Sequence, residues 1–595
     1  MDQRVEKRLE DGLETLAALP VAFSGCAGYF RHAKSTAADQ AVLFVNPWGF
    51  EELSVRKFWR ILADTFSRSG ISSLRFDLPG TGNSLDCDPQ TQLVVWQDAI
   101  ITAAAELRRL SGASEILVVS QGLGAPLAAT VLDRLGPLAG MAMLAPVLSG
   151  RLYLRELSMW ARMTDGQPDP EKELREGRGF FISGFRMPDG IYADLRKLDL
   201  GALLPLPVRN LFVAARTDRA AETDFATLAK DKGLEVSLHP YEGYDRLVGN
   251  LNFSEQPEAV SAALLRWVES LIAPSTRQSM RPVIDTACLQ DQHFIEHPVL
   301  IGPEGRLAAT LCLPSDGRRQ GATVVLLSTA YHPSAGWGRI GVETARKLAA
   351  EGVASLRFDS ANTSDSPPLA GAPEQILYSP AQNLDVSAAL DFIDERGLMP
   401  AMIAGRCSGG YLAFQSLLTD ARLSGAVSAN PYVFYWDGSQ KVEDLLRFVP
   451  KPLGNYGSML FKGSTWKRMI SGEIAVKHAA VNLTRLIGKR MLHASETVLQ
   501  LFPFLSREYR EVHGAFAKLE ARDVPLSLLY ADDDPGIAHL FHHFGEKGQR
   551  MQRFRNVSLR FLTKTDHNLS TPEARQVFND EVITMARQIF KRQST

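Results

Sequence analysis

Short apolar runs recur along the chain, each running into a turn-rich loop and then into a segment whose apolar positions fall at helical spacing. Strands that alternate with helices in this way predict a mostly parallel sheet with helices on both faces, an α/β class of fold. In the first half, Ala41 to Val45 predicts a buried strand ending in Asn46-Pro47-Trp48-Gly49, followed by a helix to about Ser69. Ser72 to Phe76 predicts the next strand, Trp96 to Leu110 a helix and Ile116 to Val119 another strand. The second half repeats the order with Thr323 to Leu327, a helix to Ala350, Ser355 to Phe358 and Ala401 to Ala404. Leu74-Arg75-Phe76-Asp77 and Leu356-Arg357-Phe358-Asp359 are identical and stand 282 positions apart. So long a period means two duplicated units, each with its own sheet of about eight strands, rather than a solenoid.

The remaining segments divide the chain further. Val5, Leu9, Leu13 and Leu16 give residues 1–18 the pattern of a short amphipathic arm, and a first domain is expected over 19–273. After a helix from Ala259 to Ile272, Pro274, Ser275 and Thr276 open an expected linker over 274–290, and a second domain over 291–595 begins with strands from His293 to Ile301 and Arg306 to Leu313. Each unit carries an insertion expected to form a helical lid, about 151–200 in the first and about 433–522 in the second. The second contains Trp436, Phe448, Tyr456, Trp466, Phe502, Phe504 and Tyr509, read mainly as lid core.

Composition narrows the class. A chain of 595 residues that is 45% hydrophobic and 22% charged, with a formal charge of −2, is of ordinary globular make-up. Lys and Arg (65) nearly cancel Asp and Glu (67) without a long basic run, so no nucleic-acid partner is expected. The five cysteines, Cys26, Cys87, Cys288, Cys312 and Cys407, lack disulfide or zinc spacing, which points to a reducing cytoplasm and to no metal or other cofactor. The first residues lack the apolar core of an export signal and no apolar run is long enough to span a bilayer, so neither export nor spanning is expected.

The chemistry concentrates in Gly405-Arg406-Cys407-Ser408-Gly409-Gly410, between the strand at Ala401 and a helical segment from Tyr411. This is the strand-turn-helix nucleophile elbow, G-x-S-x-G, with sulfur in place of oxygen. Glycines two residues either side let the turn close, and the helix that follows lowers the pKa of a thiol at its amino end. In this fold the acid and the histidine follow the nucleophile in that order. Leu526 to Tyr530 is an apolar strand ending in Asp532-Asp533-Asp534-Pro535, so Asp534 is the candidate acid with Asp533 second; His567 follows the last strand, Val557 to Leu562, as candidate base. The Ser408 N–H is the expected first oxyanion donor, with Ala330 or Tyr331 supplying the second.

The second half resembles the α/β-hydrolases from about Phe294 to Phe590, and its elbow resembles the cysteine form in dienelactone hydrolases and polyhydroxyalkanoate synthases, whose boxes read G-x-C-x-G-G. GRCSGGYLAF, Ser464-Thr465-Trp466-Lys467-Arg468 and Asp566-His567 are similar to hydrolase-like proteins associated with bacterial surface-polysaccharide and exosortase gene sets. The family loop after the third strand is richer in glycine than Ser328 to His332, which leaves the second oxyanion donor open between the two candidates. The first half resembles the same proteins through Asn46 to Phe50 and LRFDLPGTGNS, yet its elbow register puts Gly122 at the nucleophile position and Ser120 inside the strand. Asp218 fits the acid position, but Tyr244 and Asp245 stand where the histidine is needed, so this site is expected to be degenerate and the domain to serve as a cleft or protein-binding surface. The resemblance implies two tandem α/β-hydrolase domains, the second transferring an acyl group from a small or lipid- or sugar-linked ester or thioester. Transfer to a sugar or amine, and a non-catalytic scaffold in an envelope-polysaccharide system, are the alternatives.

Overall fold

The computed structural model describes residues 18–34, 37–163, 179–182, 184–272, 288–372, 375–438, 442 and 507–594. The expected arm up to residue 17, the linker up to residue 287 and most of the second insertion lie outside these residues, with Ser464 to Arg468, Phe448, Tyr456, Phe502 and Phe504.

The first half contributes β1 (Leu19–Phe23), β2 (Cys26–Arg31), β3 (Gln40–Val45), β4 (Ser72–Phe76), β5 (Glu115–Gln121), β6 (Leu138–Leu144), a small hairpin of β7 (Phe180–Ile182) and β8 (Phe185–Met187), β9 (Asn210–Ala215) and β10 (Glu235–Pro240). The second half contributes β11 (Leu289–Gln290), β12 (Phe294–Ile301), β13 (Leu307–Pro314), β14 (Thr323–Leu326), β15 (Ser355–Phe358), β16 (Ala401–Arg406), β17 (Leu423–Ala429), β18 (Leu526–Ala531) and β19 (Val557–Leu562). They form two large sheets, ordered β1-β2-β4-β3-β5-β6-β9-β10 and β11-β12-β13-β15-β14-β16-β17-β18-β19. Apart from the additional edge strand β11, both have the strand order of the α/β-hydrolase fold, antiparallel at the first edge and parallel from β4 and β15 onward.

The physical reasons are local. β3, β5 and β16 lie mid-sheet under helices, so both faces are covered and their sequences read as near-continuous apolar runs. β10 and β19 close the opposite edges, and there charged or polar residues alternate with partly buried ones. One expectation needs correction: Leu289 and Gln290 belong to the sheet rather than to a linker, because their backbones pair with Glu296 and Ile295. β5 runs to Gln121 and so holds Ser120 inside the strand, where its buried hydroxyl is satisfied by the Ala142 carbonyl at 2.9 Å. Among the described residues, no helix is long and apolar enough to cross a membrane.

The repeated motif sits where the halves meet. In each copy the aspartate that ends the strand accepts a backbone N–H six residues on, Asn83 to Asp77 at 2.8 Å and Asp365 to Asp359 at 3.0 Å. The next serine donates back to that aspartate's carbonyl, at 2.6 Å from Ser84 and 2.7 Å from Ser366. Two like loops then exchange arginines: Arg75 pairs with Asp365, and Arg357 donates to the Asn83 side chain at 3.2 and 3.3 Å while pairing with Glu296 at 2.6 Å. Arg339 adds bonds to the Gly82 carbonyl at 2.9 Å and the Ser84 carbonyl at 2.6 Å.

Candidate active site

β16 ends at Arg406, and Cys407 turns the chain into the helix Ser408–Thr419 with φ 56° and ψ −122°. Positive φ costs a side-chain-bearing residue of order 1–3 kcal/mol, so the turn persists only because its neighbours fix it. They do so by leaving no room: a Cβ on Gly405 would lie 2.4 Å from the Gly409 carbonyl oxygen, and one on Gly409 2.5 Å from that of Ser328. The Cys407 N–H is held by the Ala429 carbonyl at 2.8 Å, which ties the elbow to β17.

Asp534 leaves the end of β18 with its carboxylate buried; one oxygen accepts the Gly536 N–H at 2.8 Å and the other meets His567 Nδ1 at 2.5 Å. Asp533, the second candidate acid, faces solvent. With Nδ1 committed to Asp534, the other ring nitrogen of His567 is left for Cys407, whose charge acts on the ring. The three candidates, distant in sequence, therefore form one chain of contacts.

Two side chains that sequence reasoning passed over hold the histidine in place. Asn430 Nδ2 donates to the His567 carbonyl at 2.9 Å, while its Oδ1 accepts the Ala531 N–H at 2.8 Å, so one amide spans the acid and histidine segments. Arg406, the variable residue of the elbow motif, donates to the same carbonyl at 3.2 Å and to Asn568 Oδ1 at 2.7 Å. Position next to Cys407 was the only sequence signal for Arg406, and Asn430 had none beyond its place at a strand end.

The electrostatics favour a thiolate facing an imidazolium. Burial works to raise the Cys407 pKa, but the His567 charge and hydrogen bond, Arg406 and the Ser408 N–H outweigh it and bring it below the ordinary thiol value. For His567 burial works downward, and the Cys407 charge and the Asp534 hydrogen bond overcome it, pushing the pKa up to about 10. Nearby His332 is held neutral, its pKa pushed down to about 3 by burial and by Arg406 and His567.

The oxyanion candidates fare differently. The Ser408 N–H helps lower the Cys407 pKa from directly beside the sulfur, whereas an oxyanion donor has to aim at the place of the acyl oxygen. Ala330, itself at φ 48°, gives its N–H to the Ser408 hydroxyl at 2.7 Å, so this amide is already engaged. Tyr331 turns its hydroxyl to Gln375 Oε1 at 2.6 Å. Beside the elbow, the Tyr378 ring meets Tyr411 at 4.7 Å and stacks on Trp436 at 5.1 Å, forming an aromatic wall to which Tyr378 brought no sequence signal.

The first-half site is built differently. Gly122 occupies the elbow apex at φ 54°, and the space above it holds the carboxylate of Glu51, which a Cβ on Gly122 would meet at 2.4 Å. Glu51 accepts from Gln121 Nε2 at 3.0 Å and from the Tyr244 hydroxyl at 3.2 Å. Tyr244 thus replaces a base with a phenol that serves this carboxylate, whereas Asp218 and Asp245 are exposed and take no part. Sequence reasoning missed Glu51 because it comes from the first turn of the helix after β3, Phe50–Arg68, far from the elbow in the chain.

One further group has ligand-like spacing. Atoms of Glu508, His539 and His543 lie within 4.8 Å of one another. His539 Nε2, however, accepts the Phe434 N–H at 3.1 Å, which puts the ring proton on Nδ1, the nitrogen facing Glu508. His543 Nε2 meets the same carboxylate at 3.4 Å, while its Nδ1 has no hydrogen-bond partner among the described residues.

No family model matches the chain, and no curated protein matches it. Among solved structures, an esterase of Pyrococcus furiosus is similar at 15% identity, covering 50% of this chain and 91% of its own, with a TM-score of 0.29. Proline iminopeptidase of Mycobacterium smegmatis is also 15% identical, covering 43% of this chain and 98% of its own, with a TM-score of 0.29. Est1E of Butyrivibrio proteoclasticus, solved with ferulic acid, is 13% identical over 43% of this chain and 99% of its own, with a TM-score of 0.30.

Proposed function

We propose that the chain is an acyl-transfer enzyme of two domains, with its working site in the second. The observation that carries this reading is the relay itself: a thiol of lowered pKa on an elbow, bonded to an imidazole of raised pKa whose other nitrogen rests on a buried carboxylate. The Cys407 thiolate attacks the carbonyl carbon of an ester or thioester, the C–O or C–S bond to the leaving group breaks, and the His567 imidazolium gives that group its proton. Water, deprotonated by His567, then attacks the acyl-cysteine and releases the acid and the thiolate. Asp534 fixes the tautomer that makes both steps possible. The Ser408 N–H and the Tyr331 N–H are the proposed donors to the oxyanion, since the Ala330 amide is engaged by Ser408.

The first domain is proposed to be non-catalytic, because Glu51 fills the place where a nucleophile would stand and, among the described residues, its partners are Gln121 and Tyr244 rather than a histidine. Transfer to a sugar or amine acceptor is the second reading. It is favoured by the aromatic wall of Tyr378, Tyr411 and Trp436, which limits water beside the thioester. The motif resemblance directs both readings toward substrates of surface-polysaccharide metabolism.

The test is turnover of short p-nitrophenyl esters and acyl thioesters, with mass-spectrometric trapping of the acylated residue. An acyl group on Cys407 that forms and decays at the rate of turnover supports the reading, and its faster decay with added amine or polyol favours transfer. Acylation elsewhere, or none with any ester or thioester, rejects it in favour of a scaffold.

A further inference from the structure

A cavity of about 320 Å³ lies between the two halves, beside the loop that follows β14. From the first half it takes Lys57 on the helix Phe50–Arg68, and Asn252, Phe253 and Glu255 after that half's last strand; from the second it takes Tyr331 and Gln375. The two segments that carry Tyr331 and Gln375 also reach the elbow. Ala330, one residue before Tyr331, gives its N–H to the Ser408 hydroxyl at 2.7 Å, and Tyr378, three residues after Gln375, packs its ring on Tyr411 at 4.7 Å. Ala330, Tyr378 and Tyr411 belong to one buried cluster against which Tyr331 packs. The cavity thus adjoins the proposed catalytic centre, and part of its wall comes from the half that lacks a nucleophile.

Its polar groups mix donors with acceptors. Gln375 Oε1 accepts both the Tyr331 hydroxyl at 2.6 Å and the Leu377 N–H at 2.9 Å, which fixes the other end of this amide as the donor. The Tyr331 oxygen, having donated, keeps lone pairs that accept. In the first half, the Asn252 side chain makes no hydrogen bond among the described residues; its oxygen is enclosed by protein and its NH2 is the accessible end. Charge selects little here, since the charged lining side chains are Lys57 and Glu255, of opposite sign, and Glu255 is exposed and paired with Arg246 at 3.1 Å. A carboxylate only accepts and an ammonium only donates, whereas a hydroxyl does both. An acyl chain does neither and would leave these groups unpaired.

We infer that this cavity is the acceptor site of the proposed acyl transfer and takes a neutral, hydroxyl-rich molecule such as a monosaccharide glycoside. Its volume is at the small end for ligand sites and suits a single ring rather than a chain. The inference rests on the acyl-cysteine reading. One acceptor hydroxyl attacks the acyl carbon, the new C–O bond forms as the C–S bond breaks, the electron pair returns to Cys407 as thiolate, and the hydroxyl proton passes to His567. The first half then has a working part without a nucleophile, because it supplies Asn252 to the acceptor.

The experiment has two arms on the full chain. In the first, Cys407→Ala is titrated with methyl α-glucopyranoside, cyclohexanecarboxylate and cyclohexylamine, followed by saturation-transfer NMR. The glycoside should bind saturably and more tightly than either of the other rings, and adding Asn252→Leu should weaken it at least about threefold, the loss of one neutral hydrogen bond. Hydrogen exchange should slow in peptides carrying Asn252 and Gln375 when the glycoside is added, which locates the site even where the variant fails to fold. In the second arm the wild type is acylated with a p-nitrophenyl ester and given the glycoside; acyl-Cys407 should decay faster, with the glycoside ester as product. No saturable glycoside binding, tighter binding of the acid or the amine, unchanged affinity in folded Asn252→Leu, or protection confined to other peptides would each overturn the inference. Acyl-Cys407 that decays only to free acid while the glycoside is bound would overturn it and leave the acyl-transfer reading intact. A chain that binds the glycoside yet never acylates Cys407 would overturn that reading, and the acceptor role with it.

Discussion

Arg75 of the first half is ion-paired with Asp365 of the second, and both are almost fully buried. The equivalent contact, 282 positions on for each motif, joins Arg357 to Asn83, so a carboxylate in one direction is an amide in the other. Breaking one side of a buried pair strands a charge, at a cost of about 3–5 kcal/mol, while a neutral acceptor of the same shape retains part of the contact. Asp365→Ala should therefore lower the denaturation midpoint strongly, and Asp365→Asn, which copies the Asn83 arrangement, by less than half as much. Urea unfolding checks this; equal losses would mean the pair contributes little to holding the halves together.

If Cys407, His567 and Asp534 work as a unit, Cys407→Ala and His567→Ala should each lower turnover on the order of 10³-fold or more, and the double variant should lose little beyond either. Asp534→Asn should cost less, because nucleophile and base both remain. Cys407→Ser should lose most activity, since the relay is set for a thiolate. Ser120→Ala should stay within a few-fold, as Ser120 serves only the Ala142 carbonyl. Steady-state kinetics on one ester decides all six, and near-normal turnover in His567→Ala would remove the relay from the mechanism.

The lowered Cys407 pKa and the His567 value near 10 define a pH window for the ion pair. Below the Cys407 pKa the thiolate is protonated, and above about 10 His567 loses its proton, so the pair exists between the two. Alkylation of Cys407 by iodoacetamide should hence begin well below the pH at which an ordinary thiol reacts. In His567→Ala the onset should move upward, because burial then acts with less opposition. A wild-type onset no lower than that of a free cysteine would contradict the ion pair. Turnover should fall at both ends of the window, since protonation removes the nucleophile and loss of the His567 proton removes the general acid.

Gly122→Ala should destabilise the first half by roughly 1–3 kcal/mol, from the left-handed backbone and the approach of the new Cβ to Glu51. Adding Glu51→Ala should recover the steric part and leave the backbone part. A double-mutant cycle in urea separates them, and strict additivity would show that Glu51 does not press on the elbow.

Much of this protein was legible along the chain because its causes are local. The apolar runs of β3, β5 and β16, the helices between them, the repeated LRFD and the glycines around Cys407 all follow from period, burial and backbone freedom. Local order also placed Cys407, Asp534 and His567 at strand ends in the sequence expected of such a relay. Tertiary structure decided what depends on side chains from distant segments. It put Asp534 rather than Asp533 on the histidine, since only the former is buried against it, and it gave the Ala330 amide to Ser408. It brought Glu51 over Gly122, Asn430 and Arg406 onto the His567 carbonyl, and Asn252 to the cavity it shares with Tyr331. Hydrophobic period carries no record of such contacts, because each is fixed by how two surfaces meet once the strands are already in place.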